Sequence, residues 1–258
     1  MTKRALSTIL KLSATRIFLV LLGFAVVYSA ASLSIYAQQR VSRRYPVRKN
    51  VRIELKNISG RIIVESWSRD EIKFSASLET PKANVSPRLV GEGGLVIDVL
   101  ADNRGRGDVG DVNFKIQVPF NSSVDIETRR GDITITNIRG DLVRAHVSSE
   151  GDITLTGISS TQVLAQNMIG NIHFDGDFAR GGNYQFRSTK GDISIRIPAN
   201  SAFNLTAAAP TRQIELNEFW NKDVKSLGNG RKFVSEIMDG RPLVTVTNLQ
   251  GSITFLRR

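Results

Sequence analysis

After residue 50 the chain consists of short runs in which apolar and polar residues alternate. Such alternation places every second side chain on one face of a strand, so these runs predict β-strands with one buried face. No stretch after residue 50 sustains the 3.6-residue period of an amphipathic helix. The clearest alternating runs are residues 133–136, 153–156, 172–175 and 193–196.

These four runs each follow a Gly-Asp or Gly-Asn pair, and such pairs recur about every 20 residues, the kind of fixed period that is typical of a solenoid. The glycines of the repeat are Gly110, Gly131, Gly151, Gly170 and Gly191. Each period also has room for a second strand, with its own apolar face. The second-strand apolar residues are Val143, Ala145 and Val147, then Val163 and Ala165, then Tyr184 and Phe186, then Phe203, Leu205 and Ala207. We therefore predict an all-β fold, a right-handed parallel β-solenoid or β-roll-like repeat of about 20 residues per coil.

A longer internal match supports this repeat. Residues 118–126 parallel residues 197–205, which lie 79 residues later, and both segments contain a proline followed by Asn-Ser at a predicted turn. Residues 51–100 also alternate but less regularly, and a polar insertion at about 217–241 interrupts the period. We assign residues 53–256 to one β-solenoid domain with capping elements, because an open sheet edge would pair with other chains.

The N-terminus is predicted to be a targeting or anchoring segment. Residues 17–39 carry no charge and follow a basic leader. A helix over residues 17–37 would be long enough to cross a bilayer. Residues 1–39 are therefore interpreted as a signal peptide, cleaved after Ala37 or Ala31, or as an uncleaved signal anchor. Residues 40–52 are expected to form a basic juxtamembrane linker that can contact anionic head groups.

The charge distribution argues against nucleic-acid binding. The net charge is +11, but ten basic residues and no acidic residue precede residue 53. The predicted β domain is thus nearly neutral, whereas a nucleic-acid-binding domain carries its basic surface on the fold.

The absence of cysteine excludes disulfides, thiol catalysis and Cys-ligated metals, and the two histidines are too few for a multi-His metal site.

A family resemblance follows from the order of these motifs. The segment 60–67 (Gly-Arg-Ile-Ile-Val-Glu-Ser-Trp), then Val118-Pro119, repeated Gly-Asp-Ile units and Ile197-Pro198 together resemble the bacterial putative-adhesin family. The resemblance covers roughly residues 50–256. It implies a repeated β-strand domain of unknown function, related to auto-transporter-type adhesin head domains, in exported or membrane-anchored envelope proteins. It supplies no catalytic or binding residue to carry over.

One column of polar side chains invites a metal hypothesis. The residues after the repeat glycines are Asp111, Asp132, Asp152, Asn171 and Asp192, and stacking would align them at one corner. Aligned carboxylates repel unless a cation or hydrogen bonds neutralise them. We favour an Asx-type corner, in which each side chain accepts hydrogen bonds from its own turn amides, and expect no tight calcium site.

Two further groups of residues are candidate sites. His173, Asp175 and Arg196 share a predicted outward face and are the one set that resembles an acid–base constellation, although an exposed polar ladder is the commoner arrangement. Trp67, Phe219, Trp220 and Tyr45 could form a recognition patch, or pack in the core and caps. We expect no catalytic, cofactor-binding or metal-binding residues, and no enzyme activity.

Three classes of function remain open. The first is a non-catalytic, exported envelope module that contacts a glycan or an envelope protein in adhesion or scaffolding. The second is a membrane-anchored extracytoplasmic regulatory or envelope-stress accessory protein. The third, less favoured, is a carbohydrate-active β-helix enzyme. Export to the periplasm or cell surface is common to the first two classes.

Overall fold

A computed structural model describes residues 39–47, 50–91, 93–220, 224–227, 229–237 and 241–258. The signal peptide or signal anchor, with the hydrophobic helix expected over residues 17–37, lies outside these ranges. No helix within them is long and apolar enough to cross a bilayer.

The described residues are almost entirely β-structure, with one short α-helix and one 3-10 turn (217–219). The elements are β1 Gln39–Pro46, β2 Arg52–Ser59, β3 Ile62–Trp67, β4 Glu71–Leu78, β5 Arg88–Val90, β6 Gly94–Asp98, α1 Val99–Asp102, β7 Val112–Pro119, β8 Ser123–Arg130, β9 Ile133–Thr136, β10 Leu142–Glu150, β11 Ile153–Ile158, β12 Gln162–Ile169, β13 Ile172–Gly176, β14 Asn183–Lys190, β15 Ile193–Ile197, β16 Phe203–Ala208, β17 Ile214–Glu215, β18 Lys225–Leu227, β19 Lys232–Ile237, β20 Leu243–Gln250 and β21 Ile253–Arg257. The predicted all-β class is confirmed.

The strands form two sheets. Sheet A has the order β1-β4-β7-β3-β9-β11-β13-β15-β21-β17, and sheet B has the order β18-β19-β16-β20-β14-β12-β10-β8-β2-β6-β5. Neighbours in the middle of both sheets are parallel. Antiparallel pairs occur at the ends, for example β1 with β4 and β16 with β19. The molecule is therefore solenoid-like, with strands of successive coils stacked in register.

Each coil consists of one strand of sheet B followed along the chain by one strand of sheet A. The predicted inward residues of the regular coils are all buried between the sheets, at most 1% exposed, because strand alternation sends them to a shared interior. This interior set is Ile133, Ile135, Ile153, Leu155, Ile172, Phe174, Ile193 and Ile195. The second-strand faces predicted from the sequence are buried as well.

The order of the coils differs from the expected simple stack at both ends. The coil β2–β3 lies between β6–β7 and β8–β9, and the coil β20–β21 lies between β14–β15 and β16–β17. The chain passes over one coil position at each of the two matching turns, β7 to β8 and β15 to β16. In both turns a serine amide donates to a proline carbonyl, Ser122 to Pro119 at 3.2 Å and Ser201 to Pro198 at 3.0 Å.

Both ends are capped by antiparallel strands. Residues 40–46, expected as part of a linker over 40–52, instead belong to β1, because β1 pairs along its whole length with β4. The polar insertion expected at about 217–241 contains β18 and β19, and β19 pairs with the outer edge of β16. These strands occupy edges that the parallel coils would otherwise leave open.

Candidate functional site

A column of glycines forms the corner between sheet B and sheet A in successive coils. A β-carbon on Gly170 would lie 2.2 Å from the carbonyl oxygen of Gly151, and one on Gly191 would lie 2.0 Å from that of Gly170. The corner can therefore stack only where the side chain is absent. The column comprises Gly60, Gly131, Gly151, Gly170, Gly191 and Gly251.

Gly110 was predicted to belong to this column, and that prediction is wrong. Gly110 lies against the backbone of Glu79 and Thr80, and Gly60 contacts the carbonyl of Val112 instead. Val112 takes the first position of the column. No glycine corner precedes it, so there is no preceding corner carbonyl for its side chain to meet, and a side chain is tolerated. The Gly-Asp motif at 110–111 resembles the repeat in sequence alone.

The polar residues that follow the glycines form the predicted ladder, but their hydrogen bonds run between coils. Asp132 Oδ1 accepts the backbone N–H of Asp152 at 3.1 Å, and Asp152 Oδ1 accepts that of Asn171 at 2.7 Å. Asn171 Oδ1 accepts the N–H of Asp192 at 2.9 Å. The expected bonds to each residue's own turn are thus replaced by bonds to the next coil, which a stack of equivalent corners brings within reach.

The ends of this ladder depart from the Asp pattern. Asp192 Oδ1 accepts both the N–H and the hydroxyl of Ser252, each at 2.8 Å, and these bonds hold the pKa of Asp192 below its ordinary value. Asp111 lies off the ladder and accepts the Ser59 hydroxyl at 2.6 Å. Asn113 takes the corresponding place and accepts the N–H of Arg61 at 2.8 Å.

Metal binding finds no support in this arrangement. One oxygen of each ladder carboxylate already accepts a backbone amide, and Asn171 separates Asp152 from Asp192. In the portion of the chain that the structure describes, no cluster of three His, Asp or Glu residues could hold a metal ion. The absence of a tight calcium site stays a prediction.

A second polar column lies inside the corner and was missed by the sequence reasoning. Asn167 Nδ2 donates to the Gly151 carbonyl at 3.2 Å, and Asn248 Nδ2 donates to the Gly191 carbonyl at 2.7 Å. Both asparagines are at most 2% exposed. The available signal was an Asn, Ser or Thr three residues before a corner glycine, as in Asn57, Thr128, Asn167, Ser188 and Asn248. In β10, which has a bulge, the buried Val147 takes this place.

The His173, Asp175 and Arg196 group forms an ion-pair cluster instead of an acid–base pair. Asp175 lies 3.9 Å from Arg196 and 3.4 Å from Arg258, which also pairs with Asp177. No hydrogen bond or ion pair joins His173 to Asp175 among the described residues. Two guanidinium groups thus hold the carboxylate that a general base would have to keep free.

The four aromatic residues do not form one patch. Phe219 is buried against Phe203 and Phe255 at the end of the stack where β16 and β21 lie. Trp220 is 55% exposed, and the edge of its ring meets Phe233. Trp67 and Tyr45 lie towards the opposite end of sheet A, on β3 and β1.

Trp67 and Tyr45 themselves have local, structural surroundings. The Trp67 indole N–H donates to the Glu71 carbonyl at 2.8 Å, and the Arg69 guanidinium lies over its ring at 5.2 Å. Tyr45 packs against the core. The packing alternative therefore describes these two residues and Phe219, whereas the Trp220 ring is largely exposed beside Phe233.

The outer face of sheet B carries an ionic cluster that the sequence reasoning did not single out. Asp125 is 8% exposed, and Arg144 Nη1 lies 2.9 and 3.1 Å from its two carboxylate oxygens. Arg52 approaches Asp125 at 3.7 Å, and Glu127 lies between Arg144 and His146, at 3.7 and 3.9 Å. The cluster is internally compensated, which is typical of a structural ion-pair network.

Taken together, the fold defines a two-sheet stack of parallel coils whose corners are tied by glycine, aspartate and asparagine columns. The sequence from 51 to 236 matches the family described as Toastrack DUF4097, so the chain belongs to that family. The resemblance to an adhesin-type domain of unknown function is confirmed. Comparison with curated proteins gave no match.

Two solved structures illustrate the likeness. A "putative cell adhesion protein" from Clostridium sporogenes is 10% identical with a TM-score of 0.53, over 85% of this chain and 100% of that chain. A "putative adhesin" from Bacteroides fragilis is 12% identical with a TM-score of 0.43, over 86% of this chain and 99% of that chain. At this identity the first structure supports the fold alone.

Proposed function

We propose that the protein is a non-catalytic, exported cell-envelope module that displays a rigid adhesin-like β surface to a glycan or an envelope protein. The observation that carries the proposal is the outer face of sheet A. There the register aligns Thr134, Thr154, His173, Ser194 and Thr254 in one row across five successive strands. Hydrogen-bonding groups at about 4.8 Å intervals suit a ligand with many hydroxyl or amide groups.

The rigidity of that face follows from the corner columns. Each corner is joined to the next by backbone hydrogen bonds, such as that from the Gly151 N–H to the Ile169 carbonyl at 2.9 Å. Side-chain hydrogen bonds of the two polar columns join the same corners. A face that is held in register loses little conformational entropy when it binds. We infer right-handed coiling, because parallel crossover connections are almost always right-handed.

A catalytic role is the less favoured alternative. The carboxylates considered as candidate sites each have a structural partner. Asp175, the candidate for catalysis, has two arginines, and Asp132 and Asp152, candidates for metal binding, have backbone amides. A glycosidase would need two carboxyl groups about 5–9.5 Å apart and free to exchange protons with a bound sugar. The described geometry supplies carboxylates that are already engaged.

The proposed location rests on the N-terminal sequence. The uncharged run 17–39 behind a basic leader favours export, and it also favours the second candidate, a membrane-anchored extracytoplasmic regulatory or envelope-stress accessory protein, if the run is retained. Cleavage after Ala37 or Ala31 would favour the display module. No nucleic-acid partner is proposed.

Export is tested by fusing a reporter enzyme that is active only outside the cytoplasm after Arg258. We expect activity in intact cells, and its loss when Leu21 and Leu22 are both replaced by Arg, because charges at the centre of the apolar run oppose insertion. The conservative pair Leu21→Ile and Leu22→Ile is the control. N-terminal sequencing of the fractionated protein then separates the cleaved from the anchored form. A reporter active solely in a cytoplasmic version would reject the proposal.

A further inference from the structure

A groove of about 840 Å³ lies where β1, β4 and β7 meet the glycine corner of the neighbouring coils. Four of its lining side chains are cationic, whereas two are carboxylates, those of Asp111 and Asp132. The cationic residues are Arg40, Arg61, Lys115 and Arg130. The remaining polar lining consists of serines and one asparagine, so the groove carries a net positive charge.

The corner architecture opens this groove. Gly60 and Gly131 line it and present no side chain, so the space above the corner stays empty. Arg130 ends β8 directly before Gly131, and Arg40 lies opposite Ser77 in the β1–β4 register. The capping strand β1 and the corner column thus bring two arginines from distant parts of the sequence to one groove.

The two arginines differ from the other cations in their partners. Arg61 lies 3.9 Å from Asp132, and Lys115 lies 3.0 Å from Glu65. Arg40 and Arg130 form no ion pair with any residue in the described ranges. By contrast, Arg52 and Arg144 on sheet B are both directed at Asp125. The groove therefore holds two guanidinium groups without an ion pair, and the lining carboxylate outside the Arg61 pair, Asp111, offsets only part of their charge.

The groove is also lined by exposed hydroxyl groups. The Ser42 and Ser75 hydroxyls lie 3.3 Å apart on β1 and β4. A hydroxyl can donate a hydrogen bond to an anion bound beside it.

We propose that this groove binds a phosphate group, with Arg40 and Arg130 as its main contacts. Guanidinium groups form paired, charge-assisted hydrogen bonds with phosphate oxygens, and a tetrahedral anion can accept from guanidinium and hydroxyl donors on different walls at once. The phosphate could belong to a phosphomonoester on a glycan or to a phosphodiester in a lipid headgroup. The proposal stands whether or not the chain is exported.

The test is calorimetric titration of the full chain in neutral detergent at low ionic strength. The two probes are inorganic phosphate, which stands for a monoester, and glycerophosphoglycerol, the deacylated diester headgroup of phosphatidylglycerol. Saturable binding of either probe supports the proposal, and the preferred probe identifies the source of the phosphate. If the wild-type chain bound neither probe, the proposal would be overturned.

Variants distinguish the groove from general charge attraction. For Arg40→Gln with Arg130→Gln we expect a dissociation constant at least about tenfold higher, because two charge-assisted contacts are lost. The matched control, Arg180→Gln with Arg187→Gln, removes the same charge from exposed positions outside the groove and should change affinity less than about twofold. The proposal would be overturned if the control pair weakened binding equally, or if the Arg40 and Arg130 variant kept its affinity. Either result would show that phosphate binds outside the groove.

Discussion

At Gly170 the corner leaves no room for a β-carbon. The added atom would lie 2.2 Å from the Gly151 carbonyl oxygen, and the backbone φ of 134° is one that other residues rarely adopt. Because the obstacle is backbone and not the end of a flexible side chain, relief requires the coils to move apart. We predict that Gly170→Ala lowers the free energy of unfolding by about 3 kcal/mol, measured by denaturant titration.

The control for this substitution is Gly107→Ala. A β-carbon on Gly107 would meet no atom within 4 Å, and its φ lies outside the glycine region. The unfolding free energy should therefore change by less than about 0.5 kcal/mol. A Gly170→Ala variant as stable as this control would show that the corner carbonyls do not constrain the stack.

The corner also shows how far residue-level patterns reach. The Gly-Asp spacing predicted which residues share a column for Gly131 to Gly191, because stacking forces equivalent positions to recur. The same motif at Gly110 gave a wrong prediction of column membership, because glycine-aspartate is also common in turns. The role of Asn167 and Asn248 was hidden because a buried asparagine three residues before a glycine looks, in sequence, like any polar strand residue.

Among the described elements, the capping strand β1 is the longest strand at a sheet edge. Among the described strands β1 pairs only with β4, so its eight residues form a long edge of sheet A. Arg43 lies opposite the buried Phe74, in the same row as Val41 and Tyr45, which pack on the core. A charged residue in an inward row is a known means of keeping an edge strand from pairing.

We predict that Arg43→Val turns this edge into an association surface. The substitution would make the row from Val41 to Tyr45 continuously apolar along an unpaired strand, so the protein should self-associate at micromolar concentrations in sedimentation velocity. Arg44→Val is the control, because it makes the same change on the opposite face, where Arg44 has a weak exposed ion pair with Glu71 at 3.5 Å. A monomeric Arg43→Val protein would mean that some other feature protects the edge.

Element prediction succeeded where alternation was regular and failed where pairing alone decides structure. The strands at 133–136 and 153–158 have an apolar face that can pack in one direction only, so sequence was sufficient. β1 reads as a basic linker, because Arg40, Arg43 and Arg44 suppress its alternation and β4 supplies the partner that makes it a strand. Charge in β1 thus reflects its position at an edge.

At the scale of the whole molecule, coil order could not be read from the sequence. All coils offer similar inward apolar residues and similar corners, so any coil can stack on any other. The choice is made by turns such as 197–203, which carry the chain past one position and leave a gap between β14 and β16. β20 fills that gap, pairing with β14 over 183–190 and with β16 over 204–208.

This arrangement makes the strands β20 and β21 part of the interior of the stack. Val244 and Val246 are at most 1% exposed, and Phe255 stacks on Phe203 with ring centroids 5.8 Å apart. The coil β20–β21 therefore connects β16–β19 to the rest of the stack. Long-range pairing of this kind must wait until both partners have been made, which favours slow folding.

We predict that ending the chain at Arg241 detaches β16 to β19 while leaving the middle coils folded. Amide hydrogen exchange should show protection lost at residues 203–208 and retained at residues 143–147 and 163–167, because the latter keep both neighbouring strands. Ending the chain at Phe255 instead is the control, since it keeps β20 and most of β21 and should preserve protection at 203–208. If β16 stayed protected in the shorter chain, it would have moved to pair directly with β14. The gap would then be a preference of the turns and not a requirement of the stack.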